Sequence, residues 1–247
     1  MSDPGWRLFP FEQRLLDWVE AVRPTAIMLS AADEARHGGT WRPGVNLLPN
    51  DAQGRVAGGP PLACAALDNL PPHPLDRGQL SAVLPGYPRR EPDEPEAAHR
   101  FRRDRAAAHL DGLLPEGAAR RRHLREHHAW LLGIPLSDHG ADAAPFVIWE
   151  GSHEIIRSML RTHLPSDPEY WGDTDLTEPY HAARREIFAT CPRREIHAKR
   201  GEAYTVHRLA LHGTAPFATT AHAPPEGRLI AYFRPETADR LAWLNAP

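Results

Sequence analysis

The feature that most limits this chain is its proline content, 26 prolines in 247 residues. Proline lacks an amide hydrogen and has a fixed φ, so it breaks helices and is confined in sheets to edges, ends and bulges. A chain interrupted this often is expected to fold as many short elements joined by turns. At this length it can still bury a substantial core, and the simplest reading is one domain. No stretch of 18 apolar residues occurs, and the opening Met1-Ser2-Asp3-Pro4-Gly5-Trp6 lacks the basic and apolar regions of a signal peptide. A cytoplasmic protein without a membrane partner is therefore expected. Cys64 and Cys191 lie far apart and match neither a disulfide framework nor a zinc motif. A net charge of −3 supplies no global basic field for nucleic acid.

Apolar periodicity places the elements. Phe11, Leu15, Trp18, Val19 and Val22 repeat at helical spacing, so residues 10–23 are expected to form an amphipathic helix stopped before Pro24. Residues 26–60 read as loop with a short helix near 31–36. Residues 80–84 read as a strand, and the charged stretch 89–104 as a loop over one end of the sheet structure. In residues 129–136, Trp130, Leu132 and Ile134 share one face while Leu131 and Gly133 share the other. Both faces are largely apolar, which implies a sheet covered on both sides. Residues 146–149 form another apolar strand, followed by a turn through His153, a short helix near 154–164, and a second helix of about 12 residues that is capped within Asp175–Pro179 and ends near Thr190. That helical stretch looks peripheral to the sheets.

Chemistry concentrates in residues 106–112, which contain His109-Leu110-Asp111. In a strand, residues i and i+2 point to one face, so both side chains can reach one ion. A second histidine, His212, comes from the run 203–212. If that run is one strand, His207 and His212 face opposite sides and only one can contribute. Two imidazoles and a carboxylate on one side of a metal leave adjacent positions open, the ligand set of non-haem Fe(II) oxygenases. His-x-Asp alone is a weak signal, and Asp111-Gly112 also suits an ordinary surface turn.

The order of the motifs adds to this. His109-x-Asp111, the strand at 129–136, Trp149-Glu150-Gly151-Ser152-His153, His212-Gly213 and an arginine on the last strand, Arg228, follow one another. In this order, over roughly residues 80–235, the chain resembles the phytanoyl-CoA dioxygenase family of Fe(II)/2-oxoglutarate oxygenases. The resemblance implies a mainly β fold with flanking α, built on a double-stranded β-helix (jelly roll, cupin-like) core. It implies residues 1–78 as an N-terminal helix and loop region and 79–235 as the core, with a helical insertion at 154–190. It also implies Fe(II) held by His109, Asp111 and His212, with 2-oxoglutarate as co-substrate and Arg228 pairing its distal carboxylate through a planar guanidinium. O₂ and a small molecule to be hydroxylated complete the expectation. His153 is not implied as a ligand, and His207 is placed outside the ligand set.

The sequence departs from the family in the interval between His212 and Arg228, which is long and includes His222-Ala223-Pro224-Pro225-Glu226. Arg234, on the strand face of Arg228, is the reserve carboxylate anchor. The long interval keeps two rivals open: a cupin-like metalloenzyme that does not use 2-oxoglutarate, and a non-catalytic ligand-binding jelly roll. Residues 120–128, rich in Arg and His, are read as a solvated surface that could also meet a phosphate. Trp41 and Arg42 lie in a long irregular segment and are candidates for substrate contact, with a surface loop anchored by Trp41 as the favoured reading.

Overall fold

The structure is a computed structural model and describes residues 3–246. In chain order the elements are β1 (Trp6–Phe9), α1 (Gln13–Ala32), β2 (Trp41–Arg42), α2 (Ala65–Asp68), β3 (Gln79–Val83) and α3 (Glu96–Asp104). They continue as β4 (Leu113–Glu116), β5 (Arg121–Leu124), β6 (Leu131–Pro135), β7 (Phe146–Trp149) and α4 (Ser152–His163). After a 3-10 turn at Pro168–Asp173 come α5 (Thr177–Thr190), β8 (Arg193–Ile196), β9 (Ala203–Val206), β10 (His212–Thr214), β11 (Arg228–Phe233) and α6 (Arg240–Asn245). Every strand has six residues or fewer, as the proline content suggested.

The strands form a six-stranded antiparallel sheet in the order β1-β9-β6-β11-β3-β2 and a three-stranded one in the order β10-β7-β8, beside the β4-β5 hairpin. Period-two alternation explains how they pack. Phe146 and Ile148 of β7 join Tyr204, Val206, Ile230 and Tyr232 of the large sheet in one cluster, so these inner faces meet. The alternate residues of β7, Val147 and Trp149, pack outward against α4 and α5. On β11, Leu229, Ala231 and Phe233 pack outward toward α1. The sheets are thus covered on both sides, as the apolar character of both faces of β6 requires. No helix among the described residues is long and apolar enough to cross a membrane.

Several expectations need correction. Helix exceeds strand, at about 29% against 21%, so the chain is mixed α/β rather than mainly β. α1 does not stop before Pro24; it runs on to Ala32, and Phe11 lies outside it and is exposed. An internal proline costs about 3 kcal/mol, but Leu15, Trp18, Val19, Val22, Ala26 and Ser30 form one buried stripe across it. Trp18 is fully buried, packs edge-on against Phe233 and donates from Nε1 to the Gly54 carbonyl. The 89–104 stretch contains α3. The run 203–212 is not one strand, because β9 ends at Val206 and β10 starts at His212. The 154–190 helices are not peripheral, since Ile156, Leu160, Tyr180 and Ile187 complete the core on the outer face of the small sheet.

Candidate metal centre

His109 and His212 face each other across a single antiparallel bridge rather than a ladder. His109 N–H donates to the His212 carbonyl at 2.8 Å, and His212 N–H donates to the His109 carbonyl at 3.1 Å. His109 therefore does not lie in a strand, contrary to expectation. Ala106 and Ala107 adopt positive φ and Gly112 a third, so the segment turns too sharply for a regular strand. Only the short extended stretch at His109 pairs with β10. That stretch is enough to put His109 and Asp111 on one side.

Gly213 permits the approach. An ideal Cβ there would lie 2.0 Å from the Ala106 carbonyl oxygen, which accepts from Thr214 N–H at 2.8 Å. The motif His212-Gly213 thus joins a candidate ligand to a residue whose missing Cβ lets the His109 segment lie against it.

One ligand atom each from His109, Asp111 and His212 lies within 4.8 Å of the others. His109 Nε2 is 3.3 Å from Asp111 Oδ1, and His212 Nε2 is 3.6 Å from Asp111 Oδ2. The opposite ring nitrogens face carbonyls: His109 Nδ1 sits 3.0 Å from Ala107 O, and His212 Nδ1 sits 2.9 Å from Ala210 O. With each Nδ1 held against a carbonyl, Nε2 is the atom that each ring directs toward the carboxylate and would offer to a metal. Phe146 stacks on the His212 ring with a 5.3 Å centroid separation and a 14° interplanar angle, fixing its orientation. Burial opposes the charge on Asp111, but His212, His109 and Arg234 together hold its carboxyl well below the usual range. The site offers two imidazole nitrogens and one carboxylate oxygen on one side of a gap. That donor set fits Fe(II).

The centre opens into a cleft of about 510 Å³. His109 is half exposed to it, whereas His212 is buried. Trp41, expected on a surface loop, instead lines this cleft, as do Tyr87, Phe146 and Tyr232. Trp41 donates from Nε1 to Ser81 Oγ at 3.1 Å and stacks on His37.

Arg228, which opens β11, and Arg234, just beyond its end, occupy different places. Arg234 lines the cleft, its Nη1 3.1 Å from Asp111 Oδ2. Arg228, the expected carboxylate anchor, does not line the cleft. It is buried beside a separate cavity of about 70 Å³ that His139 and Tyr204 also line. Its Nη2 donates to Tyr232 Oη at 3.2 Å, and its buried Nη1 has no hydrogen-bond partner. Tyr204 also donates to Tyr232 Oη, at 3.0 Å. With two donors on its oxygen, Tyr232 keeps its own O–H free to donate elsewhere.

His153 lies outside the cluster, buried with its ring 4.6 Å from that of His207. His207 likewise is no member of the ligand set. In the Arg/His-rich stretch, Arg120 lines the cleft while Arg125 pairs with Glu116 and His127 is buried against Trp243. Arg36, His37, Tyr87 and Arg102 of the cleft wall were not anticipated. They come from turns and a helix distant in sequence, and no local pattern marks them. Tyr232 was accessible to reasoning, since it shares the alternating face of Arg228 and Arg234.

No protein-family model matches the chain, and no curated protein sequence matches it. Its fold is similar to that of the crystal structure of the non-heme alpha ketoglutarate dependent carbocyclase SnoK from nogalamycin biosynthesis. The match has a TM-score of 0.50 at 14% sequence identity and covers 96% of this chain and 81% of that one.

Proposed function

We propose that the protein is a non-haem Fe(II)- and 2-oxoglutarate-dependent oxygenase, of the phytanoyl-CoA dioxygenase type, that hydroxylates a small molecule. The observation that carries this reading is the convergence of His109, Asp111 and His212, with both Nδ1 atoms tied to backbone carbonyls. The likeness in fold to an alpha ketoglutarate dependent enzyme supports it. So do the two strand orders, which with the His109 bridge to β10 suit the two halves of a jelly roll.

Bound Fe(II) would supply O₂ activation coupled to the oxidative decarboxylation of 2-oxoglutarate to succinate. The chain's own residues do the rest. His109 and His212 present their Nε2 atoms, and Asp111 contributes a carboxylate that stays ionised at neutral pH. Phe146 and the apolar residues behind it keep water from the inner side of His212. Arg228, with Tyr204 and Tyr232, forms a buried cluster of donors whose unpartnered Nη1 suits a carboxylate. In this reading Arg228 would hold the distal carboxylate of 2-oxoglutarate.

A second anchor is favoured by one observation: Arg234, unlike Arg228, lines the same cleft as the three ligands. An anaerobic titration of metal-free protein with Fe(II) and then 2-oxoglutarate distinguishes them. A visible charge-transfer band is expected, with the half-saturating 2-oxoglutarate concentration raised in Arg228→Ala and unchanged in Arg234→Ala. The reverse pattern transfers the role to Arg234. Metal binding without any band overturns the hydroxylase reading and favours a metalloenzyme that does not use 2-oxoglutarate.

A further inference from the structure

The cleft that holds His109, Asp111 and His212 has a cationic lining that the metal and co-substrate leave unexplained. Arg36 follows α1, Arg102 lies on α3 and Arg120 precedes β5, yet all three line the one cleft. Among the described residues lining it the only carboxylate is Asp111, which a bound metal would engage. Arg102 is balanced by Glu94, with which it forms a close ion pair. Arg36 and Arg120 form no ion pair with any described carboxylate.

Unused hydrogen-bonding capacity occurs in the same wall. His37 Nδ1 and Arg102 Nε are buried without a partner, and both residues line the cleft. Burial, followed by the charge of Arg102, pushes His37 down to about 4, so it is a neutral donor or acceptor at physiological pH. Buried polar groups are normally paired, so these atoms suit a polar group that arrives with a ligand. The same cleft is lined by aromatic rings, the indole of Trp41 stacked on His37 and the ring of Phe146 stacked on His212.

We propose that the substrate is an organic oxyanion, a carboxylate or phosphate on a flat apolar body. Arg36, Arg102 and Arg120 receive the anionic group, and Trp41 and Phe146 flank the body. This inference rests on the oxygenase reading only in treating Asp111 as engaged by metal and the co-substrate carboxylate as held by Arg228 or Arg234. The cleft orients the molecule by its charged end, so that a carbon of the apolar body faces His109 and Asp111.

The test uses the purified full chain and four probes of one shape: 2-naphthoate, 2-naphthyl phosphate, 2-naphthylmethanol and 2-naphthylmethylamine. Calorimetric affinities are measured with Mn(II) and saturating 2-oxoglutarate present. At least one anionic probe is expected to bind about tenfold or more tightly than the alcohol, and the amine most weakly. Whichever anion is tighter distinguishes carboxylate from phosphate. In the double variant Arg36→Gln/Arg120→Gln that preference is expected to fall to about twofold, with the alcohol's affinity unchanged. An exposed charge pair contributes up to about fivefold. Both arginines are exposed, so the fold is expected to survive their loss.

Equal affinity for all probes, no binding by either anion, or a preference that persists in the double variant overturns the proposal. So does naphthoate binding only when 2-oxoglutarate is omitted, which assigns the anion site to the co-substrate. The oxygenase reading fails separately, through loss of the Fe(II)/2-oxoglutarate band. A normal band with no anion preference removes only the substrate assignment.

Discussion

Gly213→Ala should separate the two histidines without touching either. The new Cβ would meet the Ala106 carbonyl oxygen at 2.0 Å and Ala108 Cα at 3.3 Å. Neither is the end of a flexible side chain, so the 106–109 backbone must move away by about 1 Å or more to reach ordinary contact. Three backbone hydrogen bonds hold that segment on β10: His109 to His212, His212 to His109, and Thr214 to Ala106. At about 1 kcal/mol each, their loss amounts to about 3 kcal/mol of stability. His109 would then point away from the Asp111–His212 pair, lowering metal affinity by about 10- to 100-fold, the range seen when supporting contacts of metal ligands are removed. Urea unfolding of metal-free protein measures the first quantity and calorimetric titration with Mn(II) the second. Stability within about 1 kcal/mol of wild type, together with unchanged metal affinity, would refute the close-packing argument.

Other substitutions probe other links. Phe146→Ala empties space between the sheets beside His212 and should cost about 3–5 kcal/mol in urea unfolding; a loss under 1 kcal/mol would mean that the ring is not part of the core. Asp111→Ala should abolish Mn(II) binding by calorimetry, and retained binding would move the site elsewhere. Acid should destabilise the fold through histidines buried in neutral form. Burial, then Arg208 and His153, pushes His207 down to about 2, while burial, Arg240 and His128 push His127 to about 4. Both pKa values are depressed on folding, so the unfolded chain binds more protons below its pKa of about 6.5. Stability should therefore fall as pH drops from 6.5 toward 5, by about 1–2 kcal/mol per such histidine, and the slope should be shallower in His207→Gln. A flat profile across that window would contradict neutral burial.

The parts of the fold that alternate were legible in the sequence. β6, β7 and β11 announce themselves as apolar runs because both of their faces are covered, and β3 does so for the same reason. What failed was local rule against tertiary gain. Pro24 marks a helix end by propensity, but the buried stripe from Leu15 to Ser30 outweighs it. The 89–104 stretch looked like a loop because of its dense charge, and α3 within it packs without a fully buried residue.

In the site, the order of motifs singled out the three residues that the structure brings within 4.8 Å of one another, although the strand expected at His109 does not form. The segment instead turns through two left-handed alanines, a conformation alanine seldom adopts and its sequence does not advertise. The placement of Arg228 and Arg234 illustrates the limit of alternation. Period two puts both on one face of the chain at the last strand, but only the packing of Tyr204 and Tyr232 decides which reaches the cleft. Arg36, Arg102 and Arg120 carry no sequence signal, because their convergence is produced by the folding of three distant segments.

The most direct measurement is anaerobic crystal diffraction at the iron edge, on crystals soaked with Fe(II) and 2-oxoglutarate. The expected result is one anomalous peak within coordination distance of His109 Nε2, His212 Nε2 and an Asp111 oxygen, with 2-oxoglutarate chelating the same ion and its far carboxylate on Arg228 or Arg234. A peak elsewhere, or none while Arg234 remains paired with Asp111, would contradict the assignment of this cluster as the metal centre.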